Sequence, residues 1–341
     1  MNMNILVIGQ GLAGVLVARA LRRRGADVWV ADTAETLNTA SSIAAGIVNP
    51  ITGKRYVKSW RFDEFFSIAK ETYQKIEQEY GIVIWHEKPI LRLLSSIEEA
   101  NDWSARCAQK EYTGLLSECA DPGAWPQLLH SGYRYGWIHQ AARVDFAPLL
   151  HALRQESRSW GQWLAETVPY HQVESLLKTF DRIVFCEGHR AVGNPFFPDL
   201  PWQLAKGEVC IVRIDHPLAA QIGEMLKKTM TLVPLGKGLF WCGATFEWNY
   251  PDENPAETQQ QILLEHLREM LSVPFMVEKQ LAAVRPTNKD RRPFLLNSPL
   301  NPAVWMLNGL GTKGALLAPG YAEQLCECIT DNCLDNVQSG G

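Results

Sequence analysis

Val7-Ile8-Gly9-Gln10-Gly11-Leu12-Ala13-Gly14, "VIGQGLAG", is the stretch that decides the fold of this chain. Leading into it, "NILVIG" from Asn4 is β-branched and uncharged, the texture of a buried strand. After it, "LAGVLVARALRRR" places apolar residues at helical spacing and arginines in the last turn, and Gly25 stops the helix. "ADVWVAD" (26–32) is the next strand. A right-handed, parallel β-α-β unit of about 30 residues is therefore expected. The Gly9-x-Gly11-x-x-Gly14 pattern is weak alone, but here a strand precedes it and a helix follows it. Asp32 closes the second strand 23 residues beyond Gly9, near the ~20 expected of an acid that meets a ribose. Gly9 makes the turn, Gly11 lets backbone approach a pyrophosphate, and Gly14 lets helix and strand pack closely. Leu12, Ala13 and Thr33 flank these positions and belong to the same expected site. A diphosphate would sit on the helix N-terminus, where free N–H groups favour anions. The acid favours a free 2′-hydroxyl, so FAD or NAD rather than NADP. The alternative is a glycine turn with no ligand.

The far end of the chain has the same texture. "AVWMLNGLGTKGALLAPGYAEQLCECIT" (303–330) reads as strand, glycine turn, helix. Gly309, Gly311 and Gly314 permit close backbone approach, and a second helix N-terminus follows them. The two turns then hold opposite ends of one long ligand. A reduced flavin carries negative charge near N1 and C2=O, which such a terminus stabilises, and this favours FAD over NAD. Lys313, after Thr312, either adds to that stabilisation or is a solvated turn lysine.

Between the ends, residues 33–60 read as a loop and 61–81 as an amphipathic helix. Residues 82–96 are strand-like, 97–112 helical, 132–145 a strand with a turn, 146–161 helical, and "RIVFCEG" (182–188) a short buried strand. From about 203 to 284 the strands lengthen and alternate, with one helix, "PAETQQQILLEHLREML", whose first turn would hold Pro255. That resembles an antiparallel sheet used as a wall. The fold class expected is α/β: a discontinuous Rossmann-type FAD-binding domain (1–84, 140–202 and 285–335) with an inserted antiparallel-sheet substrate domain (85–139 and 203–284) and a tail (336–341).

The bulk numbers are those of a globular protein. Of 341 residues, 46% are hydrophobic and 21% charged, with material for a sizeable core. The net charge of -4 and pI near 6.1 show no basic excess for nucleic acid. The eight cysteines include no CxxC pair and no zinc-finger spacing, so reduced thiols in a cytoplasmic protein are expected and no metal. No run reaches about 18 apolar residues, so no membrane span is expected. The N-terminus, which ends in arginines, does not read as a signal peptide.

Four stretches, in order, carry a resemblance to a known family: "VIGQGLAG" with Asp32, "TASSIAAGIVNP" (39–50), "VRPTNKDRRPFL" (284–295) and "NGLGTKGALLAP" (308–319). The chain resembles the D-amino acid oxidase-like FAD-dependent amine oxidases, which include glycine oxidase and sarcosine oxidase. It is also similar to the oxidase module that removes a carboxymethyl group during tRNA wobble-uridine modification. The resemblance implies that Ser41, Ser42, Ala44, Ala45, Gly46 and Ile47 line the cofactor. It implies that backbone near Val168 meets the adenine side, and that Cys186-Glu187-Gly188 matches the family's strand-end Ala-x-Gly. Noncovalent FAD is the default.

The activity so implied is oxidation of a C–N bond in a small amine or amino acid (glycine, sarcosine or a D-amino acid). A hydride passes to flavin N5 and oxygen is the acceptor. Arg285 matches the position that grips the substrate carboxylate, a task suited to a planar fork; a salt bridge to Asp290 is its structural alternative. Lys313 is the second expected catalytic residue. Lys54, Arg55, Lys58 and Arg61 form either a solvated basic face or a mouth for anionic substrates. His86, His139 and His189 have no visible partners and read as structural. Action on a modified tRNA nucleoside, a flavin-binding protein without oxidase activity, and a NAD-dependent dehydrogenase remain alternatives.

Overall fold

The computed structural model describes residues 3–33, 39–53 and 55–331. Lys54, Cys333 and the expected tail (336–341) lie outside the described residues.

A six-stranded sheet runs in the order Trp163–Leu164, Asp27–Ala31, Asn4–Ile8, Arg182–Phe185, Val304–Asn308, Phe294–Asn297. Its pairs are parallel except the last, where Phe294–Asn297 returns antiparallel to Val304–Asn308. Strand Asn4–Ile8 is apolar from Ile5 onward because both its faces are covered. Ile5 and Val7 join a core with the helices Leu12–Arg23, Phe62–Tyr80, Phe146–Ser159 and Gly314–Asp331. Leu6 and Ile8 face the other way, toward Phe185, Phe196 and Met306. The first helix ends at Arg23, and Gly25 follows at φ +83°.

The second layer is an eight-stranded sheet: Phe275–Arg285, Ala205–Ile214, Leu239–Gly243, Thr231–Gly236, Met225–Lys227, Ile90–Leu94, Arg134–Ile138, Leu116–Glu118. All neighbours are antiparallel except Met225–Lys227 against Ile90–Leu94, which is parallel. Alternation sorts its side chains. Cys210, Val212, Leu226, Leu232, Phe240 and Cys242 pack outward with the helix Glu257–Met270. Val209, Met225, Val233, Trp241 and Ala283 face inward.

Three expectations change. The loop expected over 33–60 holds a short helix, Ala40–Ile43, and the strands Ile47–Val48, Ile51–Thr52 and Val57–Lys58. The strand with a turn over 132–145 is no hairpin. Arg134–Ile138 joins the eight-stranded sheet, whereas Ala142–Val144 joins a three-stranded sheet with Ile47–Val48 and Trp85–Glu87. Pro255 does not enter its helix; Ala256 is the cap and Glu257 the first residue.

Candidate active site

A cavity of about 710 Å³ lies where the ends of the parallel strands meet the inner face of the eight-stranded sheet. The first glycine turn forms one end. Gly9 has φ +101° and its amide donates to Ala31 O at 2.8 Å; a Cβ there would lie 2.5 Å from Cys186 O. Only glycine satisfies both conditions. Gly11 is the cap of the first helix and makes no side-chain cap bond; the space beside it is open, with Ser41 Oγ nearest at 3.5 Å. Ser41 Oγ accepts from Leu12 N at 3.0 Å, so a neighbouring loop answers one of the helix's free amides. The Asp32 carboxylate accepts from Gln10 N and Thr33 N, both at 2.7 Å, which fixes the acid to the turn.

The second glycine turn starts beside the first. A Cβ on Gly314 would lie 3.4 Å from Leu12, so the two helix N-termini are neighbours. Asn308 Nδ2 donates to Gly188 O at 2.9 Å, tying this turn to the end of strand Arg182–Phe185. Gly309 and Gly311 have positive φ, +69° and +53°. The two turns, expected at opposite ends of one long ligand, start side by side at one cavity.

Most of the sequence-predicted residues line it: Gly9, Gly11, Leu12, Ala13, Asp32, Thr33, Ser41, Ala44, Ala45, Gly46, Ile47, Val168, Cys186, Glu187, Gly188, Gly311, Thr312, Gly314 and Arg285. Four do not. Gly14 is a packing position, where a Cβ would lie 1.8 Å from Gly9 O. Ser42 completes a capping box with Thr39 on the helix Ala40–Ile43. Gly309 abuts Asn288 and Phe294. Lys313 is not in the lining, and its pKa is lowered by burial and then by Arg291.

Arg285 ends strand Phe275–Arg285 with its guanidinium lying across Gly207, where a Cβ would be 1.9 Å from Nη2. Both Nη atoms donate to Thr245 O at 3.2 Å, and the group sits 5.5 Å from the centre of the Phe246 ring. It makes no ion pair with Asp290 or any other carboxylate among the described residues. Burial alone pushes its pKa down to about 10. Glu187, also in the lining, is pushed up to about 7 by burial, against hydrogen bonds from Asn194 and Tyr170. A carboxyl protonating near neutrality puts less negative charge beside a bound diphosphate.

The histidines do have partners: His86 faces Asp145 at 3.8 Å, His139 Ser117 at 2.8 Å, and His189, in the lining, Glu253 at 2.9 Å. Lys58 and Arg61 pair with Asp63 and Glu64 and stand outside the lining. Sequence reasoning missed the sheet's contribution. Trp241 lines the cavity and donates from Nε1 to Ile43 O at 2.9 Å, and Lys227, Thr245, Phe246 and Gly207 line it too. Gly207 left a signal, an isolated glycine inside a strand, which marks close approach; the others left none.

A family model described as "DAO: FAD dependent oxidoreductase" matches residues 4–328. Among curated proteins, the chain is 23% identical to a glycine oxidase of Pseudomonas aeruginosa, over 97% of this chain and 95% of that protein. It is 27% identical, over 97% of its length, to the tRNA 5-methylaminomethyl-2-thiouridine biosynthesis bifunctional protein MnmC of Marinobacter nauticus, of which it spans 56%. Solved structures share the fold. Iminodiacetate oxidase from Chelativorans sp. BNC1 superposes with a TM-score of 0.75 at 17% identity, covering 96% of this chain and 95% of that one. Glycine oxidase from Bacillus cereus gives 0.76 at 17% identity, covering 97% and 96%. With a match over nearly its whole length, the chain belongs to the family of FAD dependent oxidoreductases that this model describes.

Proposed function

We propose that the chain binds FAD noncovalently and oxidises the C–N bond of a small amine or amino acid that carries a carboxylate, with oxygen as acceptor. The residues present fit the cofactor. Two adjacent helix N-termini, an open face at Gly11 and a fixed acid at Asp32 suit a diphosphate, a flavin edge and a ribose. When bound, FAD supplies the two-electron acceptor. The chain's residues bind and orient. Ser41, Ala44, Ala45, Gly46 and Ile47 offer small side chains and backbone beside a flat ring. Gly311, Thr312 and Gly314 bring the second helix terminus to it. Trp241, Val209 and Ala283 form an apolar wall that excludes water. An apolar wall with a nearby cation lowers the pKa of a substrate amine, and only the neutral amine gives up hydride.

One observation carries this reading: Arg285, in the cavity lining and unpaired with any carboxylate among the described residues. Its two Nη atoms share Thr245 O, which fixes the guanidinium plane, and its remaining N–H groups would take a substrate carboxylate. Arg285→Met keeps much of the stem and loses the charge. A carboxylate substrate should lose roughly 30- to 1000-fold in kcat/KM, and its decarboxylated amine much less. Anaerobic flavin reduction by glycine and by methylamine in both proteins decides this; equal losses would remove the carboxylate role.

A second reading is favoured by the 27% identity to the bifunctional tRNA-modifying protein: the amine is part of a modified tRNA nucleoside. Retention of tRNA at moderate salt would support it, whereas bleaching by free amines without tRNA binding would oppose it.

A further inference from the structure

The first glycine turn is held from behind by a cation. Helix Phe146–Ser159 packs against helix Leu12–Arg23 and presents Arg154 and Ser157, about one turn apart, to Gln10. Arg154 donates from Nε and Nη2 to Gln10 O, at 3.0 and 2.6 Å. Ser157 Oγ accepts from Gln10 Nε2 at 2.8 Å and donates to Arg154 O at 2.9 Å. On its other side Gln10 N donates to Asp32 at 2.7 Å. Gln10 is buried, so these bonds stand away from water.

One peptide group links this cation to the cavity. Gln10 C=O and Gly11 N–H are the two ends of one planar unit. The Gly11 amide has no protein acceptor among the described residues, and Gly11 lines the cavity with open space beside it. A guanidinium on the oxygen polarises the unit and makes its N–H a stronger donor. Charge points the same way. A helix start is already positive, so a buried guanidinium beside it is unfavourable without an anion. Arg154 has no carboxylate within ion-pair distance among the described residues; Asp32 is the acid whose charge reaches it. That acid by itself would repel a diphosphate, and the cation behind the turn offsets it.

We infer that Arg154 is a positioning residue for the cofactor: through the Gln10–Gly11 peptide it strengthens the Gly11 N–H toward the diphosphate of FAD, and it offsets Asp32 beside that diphosphate. The inference rests on the FAD reading given above. Arg154 is absent from the cavity lining, so it acts through backbone and not by touching the ligand. Ser157 shares the tether to Gln10 but carries no charge, which lets the two roles be separated.

Three variants of the full chain do so. Arg154→Met loses fork and charge, Arg154→Lys keeps the charge, and Ser157→Ala cuts only the neutral tether. Each is titrated with FAD, and the bound diphosphate is read by phosphorus NMR. Arg154→Met should bind FAD roughly 10- to 100-fold more weakly, with the phosphorus resonances displaced. Arg154→Lys should recover part of both. Ser157→Ala should unfold at a lower temperature yet bind FAD within about 3-fold, with the resonances in place. A folded Arg154→Met with natural affinity and natural resonances overturns the inference and leaves the FAD reading standing. An equal loss of FAD in Ser157→Ala also overturns it, because Arg154 is then a tether only. If Arg154→Met does not fold, the other two variants decide: weaker FAD binding with displaced resonances in Arg154→Lys alone supports the role, and equal behaviour overturns it. A natural protein that holds no FAD overturns the cofactor reading itself, and this inference with it.

Discussion

The two sides of the cavity are made of different materials. The side formed by the parallel sheet is built from backbone: a turn at Gly9, an open helix start at Gly11, a second start at Gly314, and an acid fixed by two amides. The side formed by the eight-stranded sheet is built from side chains: Arg285, Trp241, Phe246, Lys227. A backbone site recognises what a helix terminus recognises, an anion or a polar ring edge, and it serves a shared cofactor. A side-chain wall changes with each substitution, and it is the side on which the proposed substrate contact, Arg285, stands.

Substitutions on each side sharpen that contrast. The largest effect is expected at Gly11. A valine Cβ meets nothing closer than Ser41 Oγ at 3.5 Å, so the fold accepts it, but its branches enter the space where a pyrophosphate would lie. Gly11→Val should purify folded and nearly colourless, with FAD affinity reduced on the order of 100-fold or more. A yellow protein of normal affinity would mean that this turn does not hold the dinucleotide.

A smaller effect, and a direct attempt to break the contrast, comes from a glycine on the sheet side. Gly207 has ordinary strand geometry, but a Cβ there would fall 1.9–2.3 Å from the guanidinium atoms of Arg285. Gly207→Ala should push the fork out of line, costing roughly 10- to 100-fold in kcat/KM for a carboxylate substrate, with FAD affinity unchanged. Loss of FAD would show that the two sides are not separable.

The smallest effect is expected at Ser41, a side chain on the backbone side. Ser41→Ala removes the acceptor for Leu12 N. A cost of about 1 kcal/mol in stability is expected, with FAD affinity changed only a few-fold. Thermal unfolding with and without added FAD checks it. A large loss of FAD would make Ser41 a ligand residue in its own right rather than a cap for the helix.

The residues that were legible follow the same division. Gly9, Gly11, Asp32, Gly311 and Gly314 could be read from spacing because positive φ, close approach and a helix start each demand particular residues in sequence order. Lys313 stands among residues that mark the turn but is not in the cavity lining, and spacing does not say which way a turn side chain points. Lys227 and Trp241 were invisible. Both occur in ordinary strand sequence, and which face a strand residue takes depends on register with strands far away in the chain.

The family resemblance made Arg285 a candidate; by itself the sequence determined the β-α-β start, the two glycine turns and the α/β class with an antiparallel wall. These are local signals, written within a few residues by backbone geometry and hydrophobic period. Only the tertiary structure decided that the two turns lie side by side, that Arg285 stands over Gly207 without a carboxylate partner among the described residues, and that Lys227 faces the same cavity. Those facts depend on long-range pairing, where Val209 meets Gly243 and Gly243 meets Thr231. A one-residue slip in that pairing would turn the whole wall inside out.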